Sequence, residues 1–334
     1  LVTVVGGPLL RFDEDLNVAL QLFVPVGRVS LARGSHGYNH GPVPELPDLD
    51  VVADALHAAL AGRSVTGARL AMPLVVRGTP AELEALTGQL VVRVTRVGKL
   101  LDIQLDPDRV VVNPMLTGRF QLAGRGERAP AAVAVEWEFG PRLREPGAAA
   151  ADWTDGAAWL PAGEAPVQVR YRDPTQMGKV YLLPAGEARS VPGLGPGEQG
   201  PDALDPTLTL DAWRARIRKH PGELKNLLRN QAFVAGIGNA YSDEILHAAG
   251  LQPFRKRSSL APEEVDALYL AMRRVLENSI LVLRERVPPT FEKQVRDQLA
   301  VHNRGGEACP RCGTRITQVT GGGFPTAWCR GCQR

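Results

Sequence analysis

A two-domain α+β protein is predicted by three features of the 334-residue sequence. The first half has the texture of strands, a Pro/Gly-rich break follows, and the second half reads as helices ending in a cysteine-bearing tail. After Pro47 the apolar positions Leu49, Val52, Ala53, Leu56, Ala59 and Leu60 recur at helical spacing, and Gly62 stands where a helix stops. From Ser64 to Leu183 the pattern changes. Leu90–Val97, Leu100–Leu105, Val110–Val112, Val133–Trp137 and Val167–Tyr171 are apolar runs separated by Pro, Gly and Asp turns, as in an antiparallel sandwich or barrel. The break is Pro192-Gly-Leu-Gly-Pro-Gly-Glu-Gln-Gly-Pro201. Beyond it, helices are expected near 210–219, 221–233, 240–249, 262–277 and 290–301. No repeat of solenoid period is present.

Composition narrows the function classes. Hydrophobic content of 44% and charged content of 22% are those of a globular protein. No apolar run reaches the roughly 20 residues that span a bilayer. The segment Leu1–Leu10 has neither a basic leader nor a small-residue cleavage site, so no signal peptide is read and a cytoplasmic location is expected. The net charge of +3 hides an asymmetry: residues 211–334 hold 20 Lys+Arg against 12 Asp+Glu, the rest 19 against 24. A basic C-terminal half suits a nucleic-acid partner, because phosphate neutralisation supplies most non-specific affinity. It also suits a plain solvated surface.

The four cysteines, Cys309, Cys312, Cys329 and Cys332, are spaced C-x2-C-x16-C-x2-C. Each C-x2-C puts two thiolates on one tight turn, and two such turns complete a tetrahedron around Zn²⁺. Four cysteines leave no open position, so the expected zinc ion is structural. Disulfides are disfavoured by the cytoplasmic reading, and a redox pair by the lack of an adjoining βαβ pattern.

Leu224 to Gly250 reads as two helices joined by a sharp turn. Pro221 is placed to open the first, Gly236 and Gly238 permit the turn, Asn239 is the expected N-cap, and Gly250 ends the second. Asp243 and Glu244 fall in or near the first turn, where acidic groups favour the helix dipole. Backbone N–H groups converging in such a turn suit a phosphate; an ordinary helical hairpin is the plainer reading.

Together these segments resemble the formamidopyrimidine-DNA glycosylase / endonuclease VIII family. Val234-Ala-Gly-Ile-Gly-Asn239 resembles the core of its helix–two-turn–helix, Cys309-Pro-Arg-Cys and Trp328-Cys-Arg-Gly-Cys-Gln333 its zinc finger, and Pro44-Glu-Leu-Pro-Asp-Leu-Asp50 its N-terminal signature. The resemblance implies an N-terminal β-sandwich with flanking helices over residues 44–185, a linker at 186–206, a helix–two-turn–helix domain at 207–304, and a zinc-ribbon β-hairpin at 305–334. It implies a monomeric base-excision repair enzyme acting on damaged double-stranded DNA, with one structural zinc ion. Such an enzyme extrudes the damaged base, cleaves the glycosidic bond and nicks the abasic site. Pro44 is implied as the nucleophile, through a Schiff base followed by β- and δ-elimination. Glu45 is implied as general acid/base, and Lys99 as a DNA contact that assists proton transfer. Lys225 and Asn239 would bind phosphates flanking the lesion. Without the resemblance, Pro44-Glu45 reads as a turn leading into the first helix.

The sequence departs from the family pattern in several places. An internal proline nitrogen is a tertiary amide and not a nucleophile, so residues 1–43 are read as an extension ahead of the native start. The sequence opens on Leu1, and a valine codon at Val43 can initiate translation as methionine, which would then be removed to expose Pro44. In Asn113-Pro-Met-Leu-Thr-Gly118, Leu116 takes the place of the family's wedge methionine. In Asp173-Pro-Thr-Gln-Met-Gly178, Gln176 and Met177 stand where an arginine and an aromatic usually fill the hole left by the base. Phe324 stands near the place of the hairpin arginine. The stretch 288–304 is short where purine-specific members carry a loop, so the resemblance does not extend to 8-oxoguanine as substrate. These departures keep open a second reading, a catalytically inert binder of damaged or abasic DNA.

Overall fold

The computed structural model describes residues 43–334 apart from 125, 146–152, 154–156 and 322–323. The reading of residues 1–43 as an extension lies outside the described residues, Val43 excepted. The first helix, α1 (Leu46–Leu60), forms where the apolar spacing predicts it. Pro47 sits in its first turn, where a missing N–H costs nothing. The Asp48 carboxylate accepts the Glu45 N–H at 2.8 Å, and Gly62 follows the helix at φ +80°. A Cβ on Gly62 would lie 1.9 Å from the Arg144 carbonyl oxygen. α1 is buried on nearly every side because two cores share it. Val52, Leu56 and Leu60 lie in the core of the sheet domain, whereas Leu46 lies in the core of the helical domain.

The strands are β1 (Arg63–Leu70), β2 (Val76–Arg77), β3 (Leu90–Val97), β4 (Leu100–Asp106), β5 (Arg109–Asn113), β6 (Arg119–Gly124), β7 (Val133–Arg142), β8 (Val167–Arg172) and β9 (Lys179–Leu183), with a short helix α2 (Pro80–Glu84) after β2. Their order is β2-β9-β5-β4-β3-β1-β7-β8-β6. Pairing is antiparallel except between β2 and β9. β1 is the joint. It runs along β7 from Arg63 to Leu70 with two register shifts, yet meets β3 only at Ser64↔Leu90. Both halves fold over one core, to which Val91, Ile103 and Val112 contribute from one side and Val135, Trp137 and Val169 from the other. This is the predicted sandwich. All five apolar runs are strands, and the sequence reading did not single out β1, β2, β6 and β9, which are of mixed polarity.

Arg63 is 0% exposed and ties α1 to this sandwich. Its guanidinium donates to the carbonyls of Ala59 (2.7 Å), Gly140 (2.9 Å) and Ala162 (2.8 Å), and also to Ala165. Ala59 lies in the last turn of α1, where the helix dipole favours a cation. Burial pulls the Arg63 pKa down, but a guanidinium stays charged. Replacing Arg63 with Met should orphan these carbonyls and lower stability by roughly 3 kcal/mol. Urea unfolding reads this as a lower midpoint at unchanged slope.

The second domain holds α3 (Leu210–Arg218), α4 (Leu224–Arg229), α5 (Asn239–Ala249) and α6 (Pro262–Arg286), followed by the hairpin β10 (Ile316–Gly321) and β11 (Phe324–Cys329). Three expectations need correction. The helix expected over 221–233 covers only Leu224–Arg229, with Glu223 and not Pro221 at its entry. It stops because the Asn230 side chain accepts the Ala232 N–H (3.0 Å) and Gln231 accepts that of Gly236 (2.9 Å), which builds a turn. The helix expected over 262–277 continues to Arg286, and carries Leu283 into the sheet-domain core. The helix expected over 290–301 does not form. Instead the Glu244 carboxylate accepts the backbone N–H groups of Ala300 (2.7 Å), Val301 (2.9 Å) and His302 (2.8 Å), which draws that segment across α5. No helix among the described residues is long and apolar enough to cross a membrane.

Candidate functional site

Pro44 and Glu45 enter α1 as the plainer reading of the sequence has it, but Glu45 does not cap its own helix. Its carboxylate reaches the N-terminus of α5 and accepts the N–H groups of Gly238 (2.6 Å), Ala240 (2.8 Å) and Tyr241 (3.2 Å). These are the donors that a helix start leaves unpaired, and a carboxylate suits the positive end of the dipole. The expected N-cap is thereby corrected. Asn239 is the first helical residue, Gly238 precedes it, and the capping oxygens come from the other domain. The glycines permit this close approach. Gly236 has φ +99°, and a Cβ there would lie 2.7 Å from Leu46 Cδ1; one on Gly238 would lie 2.5 Å from Glu45 Cδ. The Leu46 N–H donates to the Gly236 carbonyl at 2.9 Å and completes the joint.

Pro44 stands between two clefts. One is lined by Asp48, Arg119, Phe291 and Gln294. The other, of about 300 Å³, is lined by Lys99, Asn113, Met115, Leu116 and Gln231. Lys99 lies in the Gly98-Lys99 turn between β3 and β4, with Gly98 at φ +58°. Burial draws the Lys99 pKa down, Glu45 raises it, and Arg229 lowers it further. Three of the expected residues, Pro44, Lys99 and Leu116, therefore share a cleft, with Glu45 behind them. Arg296, which the sequence reading did not single out, closes the other side. It donates to Asp48 (2.6 Å), the Val43 carbonyl (3.2 Å) and the Tyr241 hydroxyl (3.1 Å).

The turns holding Leu116 and Gln176–Met177 form one unit. Asp173 is 0% exposed and accepts the N–H groups of Gly178 (2.6 Å) and Thr175 (3.3 Å) together with the Thr117 hydroxyl. Neither turn leaves room for a side chain beneath it, since a Cβ on Gly118 or Gly178 would lie 2.2 or 2.0 Å from the Tyr171 hydroxyl. The tips carry Met115 (φ 48°) and Gln176 (φ 55°), a conformation that non-glycine residues rarely adopt. Met115 and Met177 are exposed, whereas Leu116 is half-buried.

Lys225 and Asn239 meet at the hairpin. Lys225 Nζ (2.9 Å) and Asn239 Nδ2 (2.9 Å) both donate to the Pro325 carbonyl. Lys225 also donates to Thr326 Oγ1 (2.9 Å) and Asp243 Oδ1 (2.7 Å), so its three protons are taken. It is 4% exposed, which is not the setting of a free phosphate ligand. Burial lowers its pKa while Asp243 raises it. Asp243 further accepts from the Ala327 N–H (3.2 Å) and lies 2.8 Å from His302 Nδ1. Asp243 and Glu244 are thus buried hubs that join α5 to the tail, and not surface partners of the dipole. Nothing in the sequence around them signalled that role beyond their acidic character.

The four cysteine Sγ atoms lie within 4.8 Å of one another and can hold a metal ion. Cys309–Cys332 and Cys312–Cys329 are separated by 3.8 and 3.5 Å. A tetrahedron with metal–sulfur bonds of ~2.3 Å has sulfur–sulfur edges of ~3.8 Å, so the residues fit. His247 Nε2 lies 3.3 Å from Cys309 Sγ. Burial, with Arg311 adding to it, holds the imidazole down at about 4, so it is neutral and able to donate to a thiolate.

Comparison with known proteins agrees with this arrangement. The formamidopyrimidine-DNA glycosylase N-terminal domain matches residues 43–180, and the formamidopyrimidine-DNA glycosylase H2TH domain matches residues 199–287. The formamidopyrimidine-DNA glycosylase of Heliobacterium modesticaldum is 32% identical over 300 residues, covering 87% of this chain and 100% of that protein. That of Pelotomaculum thermopropionicum is 29% identical, over 87% and 99%. Among solved structures, the Lactococcus lactis enzyme in complex with abasic-site DNA superposes with a TM-score of 0.72 at 23% identity, over 87% and 99% of the two chains. Its complex with DNA containing FAPY-dG gives 0.70 at 22%, over 87% and 100%. At that identity the structures speak for the fold, while the sequence relatives speak for descent: this chain belongs to the formamidopyrimidine-DNA glycosylase family.

Proposed function

We propose that the protein is a base-excision repair DNA glycosylase that also cleaves abasic sites, working as a monomer on damaged duplex DNA. The observation that carries this reading is Pro44 at the meeting of two clefts, with the adjoining Glu45 carboxylate fixed on the α5 N-terminus. The relatives named formamidopyrimidine-DNA glycosylase support it. In the proposed reaction the Pro44 amine attacks the sugar C1′, the base departs with the glycosidic electron pair and takes up a proton, and an iminium remains. Loss of a C2′ proton then expels the 3′ phosphate, and a second elimination expels the 5′ phosphate. Glu45 is proposed to move the protons at the sugar, with Lys99 beside it. Met115, Leu116, Gln176 and Met177 are proposed to enter the stack that the base vacates. The four cysteines are proposed to hold one structural Zn²⁺ that keeps β10–β11 in place. The domain division is proposed as 44–185, 186–206, 207–304 and 305–334.

This chemistry requires a free amine at Pro44, so the active form is proposed to begin there. The match that starts at residue 43 supports this, as do relatives covered over 99–100% of their length by 87% of this chain. The second reading, an inert binder of abasic DNA, is favoured by one observation: with Val43 attached, the Pro44 nitrogen is an amide. The deciding experiment incubates the full chain, and a form beginning at Pro44, with abasic duplex and borohydride. A reduced covalent complex from the Pro44 form alone is expected. Tight binding without a complex from either form would establish the inert binder instead.

A further inference from the structure

We propose that Arg229 is a ligand of the DNA phosphodiester, held for that purpose against the ring of Phe324. The inference rests on the proposed function above and adds a residue to it. Arg229 is the last residue of α4, and its guanidinium lies over the Phe324 ring at 4.8 Å from the centroid. Among the described residues no hydrogen bond or ion pair reaches that guanidinium. Other arginines of this domain are committed: Arg216 to the carbonyls of Ala232 and Phe233, Arg255 to Glu264, Arg257 to His220 and Arg218. Stacking on a ring restrains the guanidinium plane but leaves its N–H edges open. A planar fork of free donors fits two oxygens of one phosphate group.

Its neighbours place this fork at the candidate DNA-binding face. Phe324 adjoins Pro325, whose carbonyl joins Lys225 and Asn239 to the hairpin. The charge of Arg229 is felt by both Lys99 and Lys225. Lys225 is already neutralised by Asp243 and Lys99 lies in the field of Glu45, so the cation left unanswered is Arg229. An anion reaching from α4 towards Pro44 answers it.

The test measures binding to a duplex carrying a tetrahydrofuran abasic analogue across a range of salt concentrations. It compares, each in the form beginning at Pro44, the wild type, Arg229→Ala, Arg229→Lys, Phe324→Ala, and the double variant Arg229→Ala/Phe324→Arg. Loss of one phosphate contact should reduce the salt slope by about 0.9. Affinity of Arg229→Ala at low salt should fall on the order of tenfold, with the thermal midpoint and metal content unchanged. Arg229→Lys should keep the slope and lose part of the affinity, Phe324→Ala should weaken binding at an unchanged slope, and the double variant should recover the slope. A wild type that binds and traps on abasic DNA, with Arg229→Ala equal to it in slope and affinity, overturns this inference and leaves the enzyme reading standing. A wild type that neither binds nor traps overturns both.

Discussion

Replacing Glu45 with Gln should slow base excision by a factor on the order of 10³, in a protein that is also measurably less stable. Two roles converge on this one carboxylate. Its oxygens accept three backbone N–H groups at the start of α5, and it adjoins Pro44. An amide offers one oxygen and turns an NH₂ group towards backbone donors, so at least one donor is left buried and unpaired. The helix also loses the anion at its positive end. Hydrogen bonds to charged groups contribute ~1.5–3 kcal/mol each, so a loss of roughly 3 kcal/mol in urea unfolding is expected. Single-turnover excision, measured well below both unfolding midpoints, separates the two roles. A folded Gln variant excising within threefold of the wild type would remove Glu45 from the chemistry and leave it only as the joint between the domains.

Stripping the zinc proposed for the cysteine cluster, or replacing Cys309 with Ser, should release β10–β11 and cut the proposed affinity for abasic duplex by about 100-fold. Apparent zinc affinities of structural sites reach ~10–16 kcal/mol, so the effect needs a strong chelator or the substitution. The consequence reaches beyond the hairpin. Two of the three Lys225 acceptors, Pro325 O and Thr326 Oγ1, are on β11, as is the partner of Asn239. Without them Lys225 and Asp243 remain as a buried pair short of hydrogen bonds, and the α4–α5 turn loosens. The sheet domain has its own core and should stay folded. Hydrogen exchange should show faster exchange in residues 225–243, 316–321 and 324–329, with β3–β5 unchanged. Protection and DNA affinity that persist in the metal-free protein would contradict this coupling.

Much of this was legible from local pattern. The spacing of Leu49, Val52, Leu56 and Leu60 and the turn-bounded apolar runs of β3, β4, β5, β7 and β8 are signals that a single segment carries by itself. The C-x2-C pairs likewise bring their own geometry, and the four sulfurs converge as that spacing predicts. The failures have a common cause. Residues 290–301 carry helical apolar spacing, but the Glu244 carboxylate outcompetes the helix for their N–H groups. Asn239 is a good cap by type, but Glu45 arrives from 194 positions earlier and takes the donors.

The sequence by itself determined the strand-rich first half and helical second half, the cysteine cluster and the glycines of the α4–α5 turn, because each depends on neighbours a few residues apart. Only the tertiary structure decided what the buried charges do. It joined Glu45 to α5, drew Lys225 into the interior against Asp243, gathered both wedge-bearing turns on Asp173, and laid Arg229 on Phe324. A buried charge must find its partner wherever the fold brings one, and no local period records that distance.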